Sequence, residues 1–205
     1  MVFLSFLLKT IAIIGAGPLG RWLAQAAARA GFGVYLEDVM PANLRNAREE
    51  MAGLAAAVFH PFVRHGGRKD GAPIFVSVPG ETGGEIAFVS TIEDAVREAD
   101  LAIDCVPDEL ESKLEIFCLL DRMAPPRTVL MTPTPRLSIA DLAACTYRAD
   151  KCVAIAAEAA SLVESAGRKL EIRTTAKTAP ETVELVRSFW ERLGIAARFE
   201  RDPAE

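Results

Sequence analysis

Hydrophobic and polar positions alternate in a structured way from the start of the chain. An apolar run, Ile11, Ala12, Ile13 and Ile14, enters Gly15-Ala16-Gly17-Pro18-Leu19-Gly20. Apolar positions then recur at helical spacing, at Leu19, Leu23, Ala26, Ala27 and Ala30, until Gly31, and a second apolar run (Val34, Tyr35, Leu36) ends on Asp38. The pattern predicts strand, tight turn, helix and strand. A second helix is expected from Pro41, with Leu44, Ala47, Met51, Leu54, Ala55 and Val58 on one face and His60-Pro61 closing it. Glycine, proline and charge dominate from Arg64 to Gly84, where two strand-like runs at 74–78 and 85–89 flank a turn; this reads as a β-hairpin excursion over 64–90. Alternation resumes with a short helix over 92–99 capped by Ser90 or Thr91, then a strand over 101–106, a helix over 108–123 and a strand over 128–132. A helix introduced by Ser138 and a strand over 152–156 follow. The segment 168–205 reads as strand, helix, strand: Leu170 to Arg173, a capping box at Thr178-Ala179-Pro180-Glu181 before Val183, Val186, Trp190 and Leu193, and a last strand at 195–200 after Gly194.

Strands alternating with helices in this way predict an α/β, Rossmann-type doubly wound, mostly parallel sheet with a hairpin excursion, in one domain spanning 1–205. Composition agrees, since 205 residues with 51% hydrophobic and 25% charged positions suffice for a substantial core. A formal net charge of −5 gives no general attraction to nucleic acid or to an anionic membrane. The apolar segment at Val2 to Leu8 has no basic region ahead of it and continues through Lys9 into the first strand, so it reads as neither signal peptide nor membrane span. Cys105, Cys118, Cys145 and Cys152 form no C-x-x-C pair and fall in apolar periodic segments, which predicts buried thiols in a reducing cytoplasm. His60 and His65 have no further metal ligands nearby, so no metal site is expected.

The candidate chemistry lies in the glycines. Gly15 permits the sharp strand-to-helix turn, Gly17 lets the backbone approach a pyrophosphate, and Gly20 lets the helix pack closely on its strand. The helix N-terminus at Pro18 and Leu19 then presents unpaired N–H groups and a positive dipole end to an anion, with no phosphate-binding side chain required. Asp38, eighteen positions beyond Gly20 and directly after the second strand, is placed to accept the hydroxyls of an adenosine ribose and to repel a 2′-phosphate, which favours NAD over NADP. FAD and S-adenosylmethionine share this geometry. In such a sheet the ligand lies beyond the carboxyl ends of the strands, so the residues after 106 and 132 face the cofactor.

Those two loops carry a family pattern. Val106-Pro107-Asp108-Glu109-Leu110-Glu111-Ser112-Lys113, followed by Val129-Leu130-Met131-Thr132 and Leu137-Ser138-Ile139-Ala140-Asp141-Leu142-Ala143, resembles the NAD-binding domain of L-3-hydroxyacyl-CoA dehydrogenases over most of 9–203. In that family an acid five residues before a lysine contacts the nicotinamide half of the cofactor. The resemblance implies that Val106, Pro107, Asp108, Lys113 and Thr132 line the cofactor together with Gly15, Gly17, Pro18, Leu19, Gly20 and Asp38.

At the catalytic positions the sequence departs from the family. Its dehydrogenases use a histidine held by a glutamate, assisted by a serine that follows an Asn-Thr pair. Here Pro133 and Pro135 stand for the asparagine and the serine, Ala156 for the histidine and Ala159 for a cofactor-contacting asparagine. The partner glutamate corresponds to Glu171. Losing a positioned acid–base group forfeits about 10²- to 10⁴-fold in rate. The family's serine and lysine for coenzyme A fall near Leu54 and Pro61, and the basic cluster Arg64, His65, Arg68 and Lys69 reads as a solvated loop or a site for another phosphate. Arg136 is placed to pair with a substrate carboxylate, or with Asp108 or Glu109. The family continues into a helical domain, and this sequence ends at Asp202-Pro203-Ala204-Glu205, where that domain would begin.

Two readings remain open. One is an NAD-linked oxidoreductase for a hydroxy or keto compound, with Lys113, Glu158, Glu171 or Thr134 as acid, base or polarising group. The other is an NAD(H)-binding sensor or assembly module without turnover. A homodimer is expected, through the Phe189-Trp190 helix or the 74–89 hairpin.

Overall fold

The computed structural model describes residues 8–58, 74–78, 83–157, 162 and 169–204. The segment before Leu8, His60, Pro61, the cluster Arg64, His65, Arg68 and Lys69, and Glu158 and Ala159 lie outside the described residues.

Nine strands form one sheet: β1 (Thr10–Ile14), β2 (Gly33–Glu37), β3 (Ile74–Ser77), β4 (Glu85–Val89), β5 (Leu101–Asp104), β6 (Val129–Pro133), β7 (Cys152–Ile155), β8 (Leu170–Thr174) and β9 (Ala197–Arg201). Their spatial order is β3-β4-β2-β1-β5-β6-β7-β8-β9. Every neighbouring pair is parallel except β3 with β4 and β7 with β8. The hairpin excursion is therefore the antiparallel edge of an otherwise doubly wound sheet.

Strands buried on both faces need helices on both, and two hydrophobic clusters supply them. One face carries α1 (Pro18–Arg29), α2 (Pro41–Val58) and α6 (Pro180–Arg192), with Leu23, Ala27, Met51, Val186 and Phe189 packed on Ile11, Ile13, Ile103 and Ile155. The other carries α3 (Ile92–Val96), α4 (Leu110–Met123) and α5 (Ile139–Ala144), with Val96, Phe117 and Leu142 on Ala12, Ile14, Ala102 and Leu130.

Three expectations change here. Phe189 and Trp190 are not an association surface: both are fully buried, Phe189 stacks 5.6 Å from Phe32 of the α1–β2 connection, and the two rings meet edge to face at 5.0 Å. Their spacing with Val186 forms one apolar stripe, and the core takes it. The capping box does not form either. Pro180 occupies the first turn of α6 and Ala179 is its N-cap, while the Thr178 hydroxyl accepts from Thr175 N–H at 2.8 Å instead. Finally, Cys118 is exposed on α4, Cys105 and Cys145 are half-buried, and only Cys152 is fully buried. Other caps agree with the sequence: Thr91 accepts from Asp94 N–H and Ser138 from Asp141 N–H. The helix after Thr91 ends at Val96, sooner than its apolar pattern suggests.

Among the described glycines, neighbouring backbone comes closest at Gly20, where α1 packs on the turn after β1. A Cβ on Gly20 would stand 1.8 Å from the Gly15 carbonyl oxygen, a backbone atom that cannot swing aside. Gly20→Ala is therefore expected to cost about 3 kcal/mol, the upper end of an overpacked site, read as a lowered urea midpoint at unchanged slope.

Candidate functional site

β1 lies between β2 on one side and β5 on the other, and the crevice at their carboxyl ends is built around Gly15 to Gly20. Gly15 adopts φ +104°. This conformation turns its N–H onto the Glu37 carbonyl at 2.8 Å and brings its α-carbon against the Cys105 backbone. Gly17, the N-cap of α1, differs from it. Its φ of −67° is open to any residue, no side chain caps the helix, and no protein atom lies within 4 Å of where its Cβ would be. The protein's own packing thus has no use for a glycine at 17. A ligand resting on the uncapped amides does.

Asp38 closes the other side. Its Oδ2 accepts from Ala16 N–H at 2.8 Å and from the Asn43 side-chain amide at 3.0 Å, and its Oδ1 accepts from Met40 N–H at 2.8 Å. A carboxylate has about four lone-pair positions, so one remains for a ribose hydroxyl rather than room for two without displacing a protein donor. The sequence reading missed Asn43, which orients this carboxylate. It also missed Glu37, which is 5% exposed beside Asp38. Burial first, and then the neighbouring Asp38 charge, pushes the Glu37 carboxyl up to about 7.

Across the crevice, the loop after β5 stands on a buried ionic floor. Lys113 and Asp104 are completely buried and paired at 3.2 Å. The Lys113 ammonium also donates to the Thr132 hydroxyl at 2.8 Å and the Val106 carbonyl at 3.3 Å, and Thr132 in turn donates to Asp104 at 2.9 Å. Lys113 and Thr132 are both fully buried, and the lysine's three N–H groups are taken by Asp104, Thr132 and Val106. Desolvation raises the Asp104 carboxyl, against the opposing pull of Lys113 and the hydrogen bonds to it. Asp108 is different. It precedes α4, whose N-cap is Glu109, and both its carboxylate oxygens are buried with no hydrogen-bond partner among the described residues. The anticipated Arg136–Asp108 hydrogen bond is not formed, and Arg136 is exposed.

Three positions singled out in the sequence come together at one end of the sheet. Thr134 N–H donates to the Ile155 carbonyl, and Ala156 N–H donates to the Glu171 carbonyl, so Pro135, Ala156 and Glu171 meet at the ends of β6, β7 and β8. Thr134 is fully buried, and its hydroxyl accepts from Leu137 N–H at 3.0 Å within the loop. Glu171 is about half exposed, with the Arg173 guanidinium 3.7 Å away; Arg173 also donates to the Pro135 carbonyl at 3.2 Å. A pocket of about 250 Å³ opens alongside, lined by Trp22, Ala156, Glu171 and Trp190 among others. Asp202, 3% exposed, accepts from Ser138 Oγ at 2.9 Å and Ala140 N–H at 3.2 Å. Burial alone would raise its carboxyl, but these bonds and those from Ala204 and Ile139 hold it below the usual range. This bond ties the segment after β9 to α5. Among the described residues no cluster of metal ligands occurs, and no helix is long and apolar enough to cross a membrane.

Residues 10–197 match the family described as 3-hydroxyacyl-CoA dehydrogenase, NAD binding domain. The chain is 31% identical over 150 residues, 71% of its length, to a probable 3-hydroxybutyryl-CoA dehydrogenase of Bacillus subtilis, covering 47% of that protein. It is 27% identical over 190 residues, 92% of its length, to 5-formyl-3-hydroxy-2-methylpyridine 4-carboxylate 5-dehydrogenase of Mesorhizobium japonicum, covering 56% of it. The chain thus spans about half the length of the curated relatives it matches. Among solved structures, a diketoreductase acting on dicarbonyl compounds aligns with a TM-score of 0.73 at 26% identity, over 94% of this chain and 64% of that one.

Two outcomes follow from the buried charges. Because the folded state holds a proton on Glu37 up to about pH 7 and the unfolded chain releases it near 4.5, the wild type loses stability relative to Glu37→Gln as pH rises through that window, and no further above it. Urea titrations of both proteins from pH 4 to pH 8 measure this. Lys113→Met leaves Asp104 buried and unpaired and is expected to cost about 3–5 kcal/mol at neutral pH, a deficit that shrinks as acid protonates Asp104.

Proposed function

The chain belongs to the family of 3-hydroxyacyl-CoA dehydrogenase NAD-binding domains, and from that premise we propose that it holds NAD(H) for hydride exchange with a small hydroxy or keto compound. The observation that carries the proposal is the bare Gly17 cradle: an ordinary backbone, open space above it and uncapped helix amides beneath. The orphaned Asp108 carboxylate at the far side of the cleft supports the same reading, because a buried acceptor without a donor is costly and a ligand N–H or O–H relieves it.

Pro18 and Leu19 begin α1 over the diphosphate, Asp38 accepts from the ribose with Asn43 holding it in place, and the exposed Val39 and Met40 offer apolar surface to the base. Val106, Pro107 and Asp108 border the nicotinamide end, resting on the Asp104–Lys113–Thr132 floor. Bound NAD supplies the hydride acceptor or donor. At the corner where the family keeps its base, Glu171 is a carboxylate that faces solvent, and Arg136 is available to a substrate carboxylate. Glu158 remains a second candidate acid. The whole of 1–205 is then one nucleotide-binding domain, with 64–90 as an insertion in it and 168–205 completing the sheet. Association of two copies through the β3 hairpin edge goes with this reading, as does a reducing cytoplasm for four cysteines that are all free.

A non-catalytic NAD(H)-binding module is the second reading, favoured by Pro135, Ala156 and the spent hydroxyl of Thr134. Hydride transfer separates the two. Following NADH absorbance over a panel of hydroxy acids, dicarbonyls and hydroxyacyl-CoAs, turnover that falls in Glu171→Gln supports the oxidoreductase, whereas saturable NADH binding with no turnover supports the module. Gly17→Ala tests the cradle itself. It is expected to change folding stability by no more than about 1 kcal/mol, yet to weaken NADH binding about tenfold or more, measured by fluorescence titration. Unchanged affinity would remove the cradle from the cofactor site.

A further inference from the structure

The amides of the glycine turn carry no formal charge, yet the cofactor's diphosphate carries two negative charges and the Asp38 carboxylate lies beside that turn. We propose that Arg21 is a side-chain ligand of the diphosphate, held in place for that purpose by Glu50. The inference rests on the NAD(H) reading of the cleft and adds to it a residue that the fingerprint does not require.

Placement comes first. Arg21 lies four residues after Gly17 and donates its backbone N–H to the Gly17 carbonyl at 3.0 Å, so the two residues share one face of α1. Long side chains on a helix lean towards its N-terminus, which carries the Arg21 guanidinium back to the turn. It arrives there: Nη1 donates to the Ala16 carbonyl at 3.3 Å, the residue between the two glycines. Nε lies 3.0 Å from the Glu50 carboxylate on α2 but makes no hydrogen bond and is shielded from water. The Glu50 side chain is about half exposed, and an ion pair of that kind contributes little to stability. Fold stability is thus a weak reason for a guanidinium here. A planar fork with its Nη edge at the phosphate turn and its Nε edge against an acid is arranged to meet an anion above that turn. Lysine, a point charge, would keep the attraction without the fork.

Ligands that differ by phosphate provide the test. NADH, ADP and adenosine are titrated against the wild type, Arg21→Ala and Arg21→Lys, with urea midpoints confirming that each variant is folded. Arg21→Ala is expected to weaken NADH and ADP about tenfold, to leave adenosine within about twofold, and to flatten the dependence of NADH affinity on salt. Arg21→Lys is expected to recover much of the loss. Equal weakening of all three ligands means that Arg21 acts only through the shape of the turn and overturns the proposal. So does unchanged NADH and ADP affinity in a folded Arg21→Ala. If the wild type itself shows no saturable binding of NADH, the cleft reading fails and this inference with it, an outcome distinct from the other two.

Discussion

The hydrogen bond from Ala16 N–H to the Asp38 carboxylate, at 2.8 Å, is the contact on which the site depends. It joins the turn after β1 to the residue after β2 and so fixes Asp38 beside the glycine turn. Gly15 turns its own N–H to the Glu37 carbonyl, and the absence of a side chain on Gly20 lets α1 descend onto that turn. Each of these contacts requires the others. Moving α1 outward by the width of a methyl group would pull Ala16 from Asp38 and misdirect the helix amides. A charged acceptor on an amide is among the stronger hydrogen bonds available to a protein, and a low-dielectric setting strengthens it further.

The opposite wall is made differently. There the polypeptide buries a full ion pair, Asp104 with Lys113, and satisfies it with Thr132 and the Val106 carbonyl. Such a pair adds little net stability over apolar side chains of the same volume, but it penalises any arrangement that separates its members. Its position under the loop that carries Val106, Pro107 and Asp108 gives that loop a fixed base. Asp108 is then held with both oxygens buried and without a hydrogen-bond partner among the described residues. Leaving a buried acceptor unsatisfied costs stability, which the apolar clusters on both faces of the sheet offset.

At the corner formed by β6, β7 and β8, backbone pairing brings residues from three strands together. Pro135, Ala156 and Glu171 converge through backbone hydrogen bonds, and Arg173 bridges Glu171 and the Pro135 carbonyl. Backbone pairing fixes where these positions lie whatever side chain each carries. Chemistry at the corner can therefore change while the fold stays the same, which is why a functional argument for this chain has to rest on the cofactor cradle and the individual ionisable groups.

Most of the fold and half of the site were legible in the sequence, because they are local. The glycine spacing, the apolar stripe of α1, the acid after β2, the caps at Thr91 and Ser138 and the hairpin at 74–89 all follow from conformational limits or periodicities a few residues long. Tertiary structure decided whatever joins distant segments. Lys113 finds its partner in Asp104, nine residues earlier and on another element; Phe189 and Trp190 were expected at a surface and are buried, Phe189 against Phe32 and Trp190 against Phe189; Thr178 left its capping role for a turn with Thr175. Glu37 and Asn43 acquire meaning only beside Asp38, and Asp108 only once nothing is found to pair with it. Turn geometry and periodicity are written in neighbouring residues. The partner of a buried polar group is chosen by whichever part of the chain the folded sheet brings alongside, and no spacing along the sequence encodes that choice.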